Sequence, residues 1–245
     1  MLYSASKTNG YHLNAIDGEL GKVRDLLFDD RSWTIRYLVV DLGGWLPGRQ
    51  VLLSPAAIGD WQWAQGAIGI SLTQEQIRHS PDVNTDLPVA RQHEEQLARY
   101  YGWPMYWVGP IYTGIEPVGL PPPMGGQDTA EHEEPKYDPH LRSFEEVRGY
   151  HIQALDTRIG HLHDLLYDAR FVIRYIEIDT RRWLHGRRIL VPPSWAQKVE
   201  WQGRLLDINL TSQQIQTLPE YEPGLSADQY DQRLREWGLQ HQETL

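Results

Sequence analysis

Residues 35–55 read IRYLVVDLGGWLPGRQVLLSP, and residues 173–193 read IRYIEIDTRRWLHGRRILVPP. Ten of these twenty-one aligned positions are identical, whereas unrelated stretches of ordinary composition match at roughly one. The chain therefore carries a duplication, and the extent of that duplication decides the fold. Upstream, GYHLNAIDGELGKVRDLLFDDR (10–31) aligns without a gap on GYHIQALDTRIGHLHDLLYDAR (149–170), and one residue is dropped near Ser32–Trp33. Downstream, WQWAQGAIGISLTQEQI (61–77) aligns on VEWQGRLLDINLTSQQI (199–215), and Pro81 meets Pro219. A weaker echo joins EEQLARYYG (94–102) to YDQRLREWG (230–238). Both are helix-like, with Gly102 and Gly238 as expected C-terminal stops and Pro88 and Ser226 near their starts.

Within one repeat the signals are those of strands. YHLNAI alternates, LGKVRDLLFD is a longer mixed run, and TIRYLVVDL is rich in β-branched and aromatic residues. RQVLLS and AIGISL follow as short strands. Gly21 and Gly160 fall inside strands, where glycine predicts a bulge or a close approach. LTQEQIRHSP reads as one helical turn capped by Thr73 and ending before Pro81. Five or six short strands in about 70 residues cannot build a large sandwich, so a small barrel, closed to remove its edges, is expected.

The fold expectation is mainly β: two small β-barrels in tandem, each followed by a short helix and joined by a Pro-rich linker. The divisions are residues 1–81 and 149–219 for the barrel-like domains, 82–103 for the first trailing helix, 104–148 for the linker and 220–245 for the C-terminal helical tail. The linker holds eight of the sixteen prolines, which fix φ and remove backbone donors. Its first part, 104–120, is apolar enough to lie on a domain surface; 121–140 is expected to be mobile.

Taken together, the motif order resembles the PRC-barrel. It runs Gly10–Asp29, Ile35–Asp41, Leu52–Pro55 and Leu72–Pro81, and again Gly149–Asp168, Ile173–Asp179, Leu190–Pro193 and Leu210–Pro219. That domain is shared by the cytoplasmic part of the photosynthetic reaction-centre H subunit and by the ribosome maturation factor family. The resemblance implies a scaffold rather than one activity. It suggests a non-catalytic interaction or assembly module, docking on a membrane-bound electron-transfer assembly or another large complex from the cytoplasmic side. By resemblance to the maturation factor, the alternative is an RNA- or ribosome-assembly-linked binding protein. A metal- or ligand-binding regulator is a third reading.

Composition narrows the classes. No Cys is present, which excludes disulfides, thiolate nucleophiles and Cys-based metal sites. No basic start followed by an apolar stretch marks a signal peptide, and no run approaches the roughly 18 apolar residues of a membrane span. A cytoplasmic protein without direct membrane insertion is expected. The net charge of −10 is uneven: residues 81–148 carry −7 and residues 149–219 carry +2. Overall acidity argues against broad nucleic-acid binding.

No nucleophile motif, P-loop, dinucleotide fingerprint or H-E-x-x-H occurs, so no enzyme and no cofactor are expected. Asp17/Asp156, Asp25/Asp164, Asp29/Asp168 and Asp41/Asp179 recur in both repeats. Asp17 and Asp29 are expected to make local turns, and Asp25 and Asp41 to pair with Arg36. His161 and His163, two apart in HLHD, are the weak metal candidates; their counterparts Lys22 and Arg24 favour a solvated strand face. The strongest surface signal lies in the loops. Trp45, Leu46 and Arg49 in the first repeat, and Arg181, Arg182, Trp183, Leu184, Arg187 and Arg188 in the second, combine aromatics with cations, the chemistry of binding hot spots and acidic ligands. The competing readings are that Trp45 and Trp183 fold back over the barrel end or pack between barrels, and that the arginines pair with the acidic linker. A protein partner, with a homodimer among the options, is the corresponding expectation.

Overall fold

The computed structural model describes every residue except 44, 45, 47, 63–65, 82–90, 107–139, 181–186, 223, 225 and 241–245. The chain opens with β1 (Tyr3–Ser4) and one helical turn, α1 (Ala5–Thr8). The first repeat follows as β2 (His12–Ala15), β3 (Gly18–Asp29), β4 (Thr34–Asp41), β5 (Gln50–Leu53), β6 (Ile58–Gln62), β7 (Ala67–Ile70), α2 (Gln74–Arg78) and α3 (Arg91–Tyr101). The same order then recurs: β8 (Leu141–Ser143), α4 (Phe144–Val147), β9 (His151–Gln153), β10 (Arg158–Tyr167), β11 (Ile173–Asp179), β12 (Arg188–Val191), β13 (Ala196–Glu200), β14 (Leu205–Ile208), α5 (Ser212–Thr217) and α6 (Ala227–Gln240).

The fold is mainly β, in two seven-stranded sheets of matching topology. Six strands of the first run β5-β4-β3-β2-β7-β6, and six of the second run β12-β11-β10-β9-β14-β13. The seventh strand of each comes from the other half of the sequence: β8 pairs with β3, and β1 pairs with β10. Each repeat thus extends a short arm, strand then helical turn, onto its neighbour's sheet.

Neither sheet closes by strand pairing. Between β5 and β6, and between β12 and β13, the chain passes through 3-10 turns at Pro55–Ala57 and Pro193–Trp195. Proline fixes φ at the start of each turn and turns the chain out of the ladder. The turn then meets the far side of the sheet through single backbone bonds, Ser71 N to Ala57 O at 2.7 Å and Asn209 N to Trp195 O at 2.8 Å.

Both strand glycines sit where a bulge interrupts register, between Leu13 and Asn14 opposite β3 and between Arg158 and Gly160 in β10. A Cβ on Gly21 would lie 2.0 Å from Asp41 O, and one on Gly160 would lie 2.2 Å from Asp179 O. Only glycine fits that approach.

The repeats also meet directly. Ile35 N donates to Phe171 O at 2.8 Å, and Ile173 N donates to Trp33 O at 2.7 Å. These reciprocal bonds hold Trp33 (φ 49°) and Phe171 (φ 63°) in the left-handed region, a cost on the order of 1–3 kcal/mol each for bulky residues. Ring packing supports the strained pair: Trp33 stacks on Phe28 and Phe171 on Tyr167, with centroids 5.6 and 5.9 Å apart.

The largest buried cluster is continuous across both repeats, from Ala5 and Leu13 through Phe144 to Ile215 and Trp237. Two tandem barrels standing apart would each bury a core of their own. The arms make one core of them instead, because Ala5, Phe144 and Val147 bury their side chains at the shared boundary.

The trailing helices dock by a common device. The phenol of Tyr37 donates to Glu94 of α3 at 3.1 Å, and its counterpart Tyr175 donates to Asp231 of α6. Gly102 ends α3 with φ +71°, as expected. Gly238 does not end α6, which continues to Gln240. Buried Trp237 anchors that last turn, its Nε1 donating to Thr217 Oγ1 at 2.9 Å and its ring lying 5.8 Å from Trp195.

Candidate functional site

The repeated carboxylates explain how the arms are held. Asp164, buried on β10, accepts hydrogen bonds from Ser4 Oγ, from Ser6 Oγ at 2.6 Å and from Ser6 N at 3.0 Å. Asp25, its counterpart on β3, accepts from Ser143 Oγ and from Glu145 N at 3.1 Å. The two arm serines also cap their own helical turns, Lys7 N reaching Ser4 Oγ at 3.1 Å and Glu146 N reaching Ser143 Oγ at 3.1 Å. A carboxylate receiving the cap hydroxyl and a first-turn amide is a charge-assisted latch. Burial raises the Asp25 pKa, and the Ser143 bond opposes that rise.

The pairing of Asp25 or Asp41 with Arg36 is therefore replaced by other contacts. Arg36 reaches Asp29 at 3.6 Å and Ser32 Oγ at 3.0 Å, and its guanidinium lies 4.0 Å over the Tyr106 ring. Asp41 instead accepts Gly43 N at 2.8 Å. Asp29 makes the expected local turn, accepting from Arg31 N and Ser32 N. Asp17 does not: it reaches across the sheet to the amide of Gln74 at 2.8 Å, just as Asp156 accepts Ser212 N at 2.8 Å. These two carboxylates pin the starts of α2 and α5.

The loop residues divide in two. Trp45, Arg181, Arg182, Trp183 and Leu184 lie outside the described residues. Leu46 folds back, half-buried against the main core. The Arg49 guanidinium donates to Arg78 O at 2.6 Å and Ser80 O at 2.7 Å; that of Arg187 donates to Gln216 O at 3.0 Å and Leu218 O at 2.8 Å. This identical pair thus ties the loop to the carbonyls at the ends of α2 and α5, where unsatisfied acceptors gather. Arg188 pairs with Glu177 at 2.9 Å.

The histidines share a shallow cleft of about 610 Å³ lined by Arg148, His161, His163 and Asp179. His161 stands across the ladder from Asp179 and lies 4.6 Å, ring to ring, from His151. His163 occupies the bulge between Leu162 and Asp164, so the two-residue spacing no longer gives a regular strand face. Burial, then the Arg188 charge, lowers the His163 pKa. Among the described residues no group of three or more His, Asp or Glu is placed to hold a metal ion. None of the helices of the described residues is long and apolar enough to cross a membrane.

The arms were not anticipated in residues 1–9 and 141–148. A signal for them does exist, because the gap-free alignment continues upstream: Tyr11 and Gly10 against Tyr150 and Gly149, then Ser4 against Ser143 and Leu2 against Leu141. The chain matches no protein-family model and no curated protein sequence.

Proposed function

We propose that this chain is a non-catalytic assembly module of the tandem PRC-barrel type, presenting two related loops on one rigid body to a larger complex. The observation that carries this reading is the fate of the repeated polar residues. Asp17/Asp156 and Asp25/Asp164 bind helix starts and arms, and Arg49/Arg187 bind helix ends. These six repeated groups, each of a type that could serve as acid, base or anion clamp, are engaged within the fold. What differs between the halves is loop chemistry, LGGWLPG at 42–48 against TRRWLHG at 180–186, and in the second half a Trp-Leu pair beside two arginines suits a protein surface. By resemblance to the reaction-centre H subunit, the complex is one approached from the cytoplasmic side.

The test is affinity capture from the native cell, membranes included, with the wild-type chain and with Trp45→Ala/Trp183→Ala and Arg181→Ala/Arg182→Ala variants that melt like it. The same partner captured by wild type and lost in both variants supports the reading. Capture indifferent to all four substitutions contradicts it, and salt-dependent RNA binding lost with the arginines would favour the RNA-linked alternative.

A further inference from the structure

A cleft of about 630 Å³ opens between the repeats, walled by Arg31 and Trp33 from the first, by Arg142 of the arm strand β8, and by the segment 193–199 of the second. Its charge is unusual for a chain of net charge −10. Asp30, which also lines it, is hydrogen-bonded to His140 Nδ1 at 2.8 Å and accepts Arg142 Nε at 2.7 Å, so Arg142 is neutralised. Arg31 is exposed and has no ion-pair partner among the described residues. Lys198 is 65% exposed and makes only a 3.8 Å contact with Glu200, itself 41% exposed; surface pairs of that kind hold a cation weakly. Two positive charges therefore face the recess.

The duplication shows that shape does not require this. Asp30, Lys198, His140 and Arg142 fall against Ala169, Asp60, Met1 and Tyr3, while Pro193 keeps its counterpart Pro55. Residues needed for the fold recur in both halves; Arg31 recurs as Arg170, but Lys198 and the Asp30–His140–Arg142 group occur on one side of the pseudo-twofold only.

The geometry points to this cleft as a binding site for a small phosphate ester. Arg31 and Lys198 match the charge of the dianion, with guanidinium suited to paired phosphate oxygens. Ser194 and Gln197 on the same wall offer neutral donors, and Trp33 with Pro193 gives an apolar wall for a planar organic group. The volume lies within the roughly 300–1,000 Å³ of small-molecule pockets. A cationic recess in an acidic protein also concentrates anions locally. The site is independent of the docking role proposed above.

The experiment is calorimetric titration of the full chain with AMP, with inorganic phosphate and adenosine in parallel. AMP is expected to bind at one site per chain and more tightly than phosphate, with no heat from adenosine. Arg31→Glu/Lys198→Glu should weaken AMP at least tenfold, and Arg170→Glu, at the matching position of the other half, should leave it within twofold. Arg31→Ala/Lys198→Ala, checked for an unchanged melting temperature, separates a lost site from a damaged fold and should also weaken AMP. Equal affinity for AMP and phosphate would overturn the assignment to an ester. Heat from neither probe, or AMP binding unmoved by both double variants, would overturn the site itself.

Discussion

Asp164 and Asp25 illustrate why the role of a residue need not be local. Each sits mid-strand, and each is bonded to a serine far away in sequence, Ser4 or Ser143. Asp164→Ala strands three arm donors at once and is expected to cost about 2–4 kcal/mol in equilibrium denaturation; a loss below 0.5 kcal/mol (roughly the effect of an ordinary surface change) would show that the latch is unimportant. The glycines separate two physical causes. Gly21→Ala must displace the Asp41 carbonyl, 2.0 Å from the new Cβ, and should cost about 3 kcal/mol or more. Gly10→Ala meets nothing within 4 Å and only strains a φ of +90°, for about 1 kcal/mol. Melting temperatures of the two variants test that order. Glu177 supplies a pH signature. Burial, then the Asp164 carboxylate beside it, raises its pKa against the pull of Arg188. The native state then holds that proton more tightly than the unfolded chain, so this group's stabilising contribution is full below about pH 4.5 and is lost as pH rises through the elevated native pKa. Urea titrations from pH 4 to 8 should show a smaller decline across that window for Glu177→Gln than for wild type, and an unchanged or steeper decline contradicts this.

At the scale of elements, what could be read from the sequence was whatever has local periodicity. The alternation in HLNA, the long run of β3, the β-branched β4 and the Thr73/Gln76 capping box that starts α2 all follow from residues close together. The arms have no such signature. β1 and β8 are two and three residues long, and the second is embedded after a proline-rich stretch. Their stability comes from the neighbouring sheet, which no window of sequence contains. Barrel closure failed to appear for a similar reason, since the proline turns divert the chain before β5 or β12 can pair onward. The Arg49 and Arg187 loops look like binding surfaces in sequence because an arginine's partner carbonyls lie about thirty residues later, at 78–80 and 216–218. Arg187→Ala should therefore loosen the end of α5, speeding hydrogen exchange of the amides around 215–218 by about tenfold or more, a local loss of 1–3 kcal/mol. Exchange there unchanged from wild type would mean that the guanidinium is not what holds that turn.

For the whole molecule, duplication and arm exchange together make one body from two similar halves. The continuous core, the Trp33 and Phe171 backbone bridges and the two latches couple the repeats. A pseudo-twofold body of this kind leaves the unequal positions between the halves free to differ in chemistry. Where the arms dock can be read directly, because the chain has no native cysteine. Ser4 and Leu166 are antiparallel partners across β1 and β10, at a spacing near the roughly 5.5 Å a disulfide accepts. In Ser4→Cys/Leu166→Cys, oxidation of dilute protein should form an intramolecular disulfide in nearly every chain, seen as faster migration of a monomer on a non-reducing gel. No crosslink, or crosslinks found only between chains, would contradict the exchanged arms on which the fold and its function are argued.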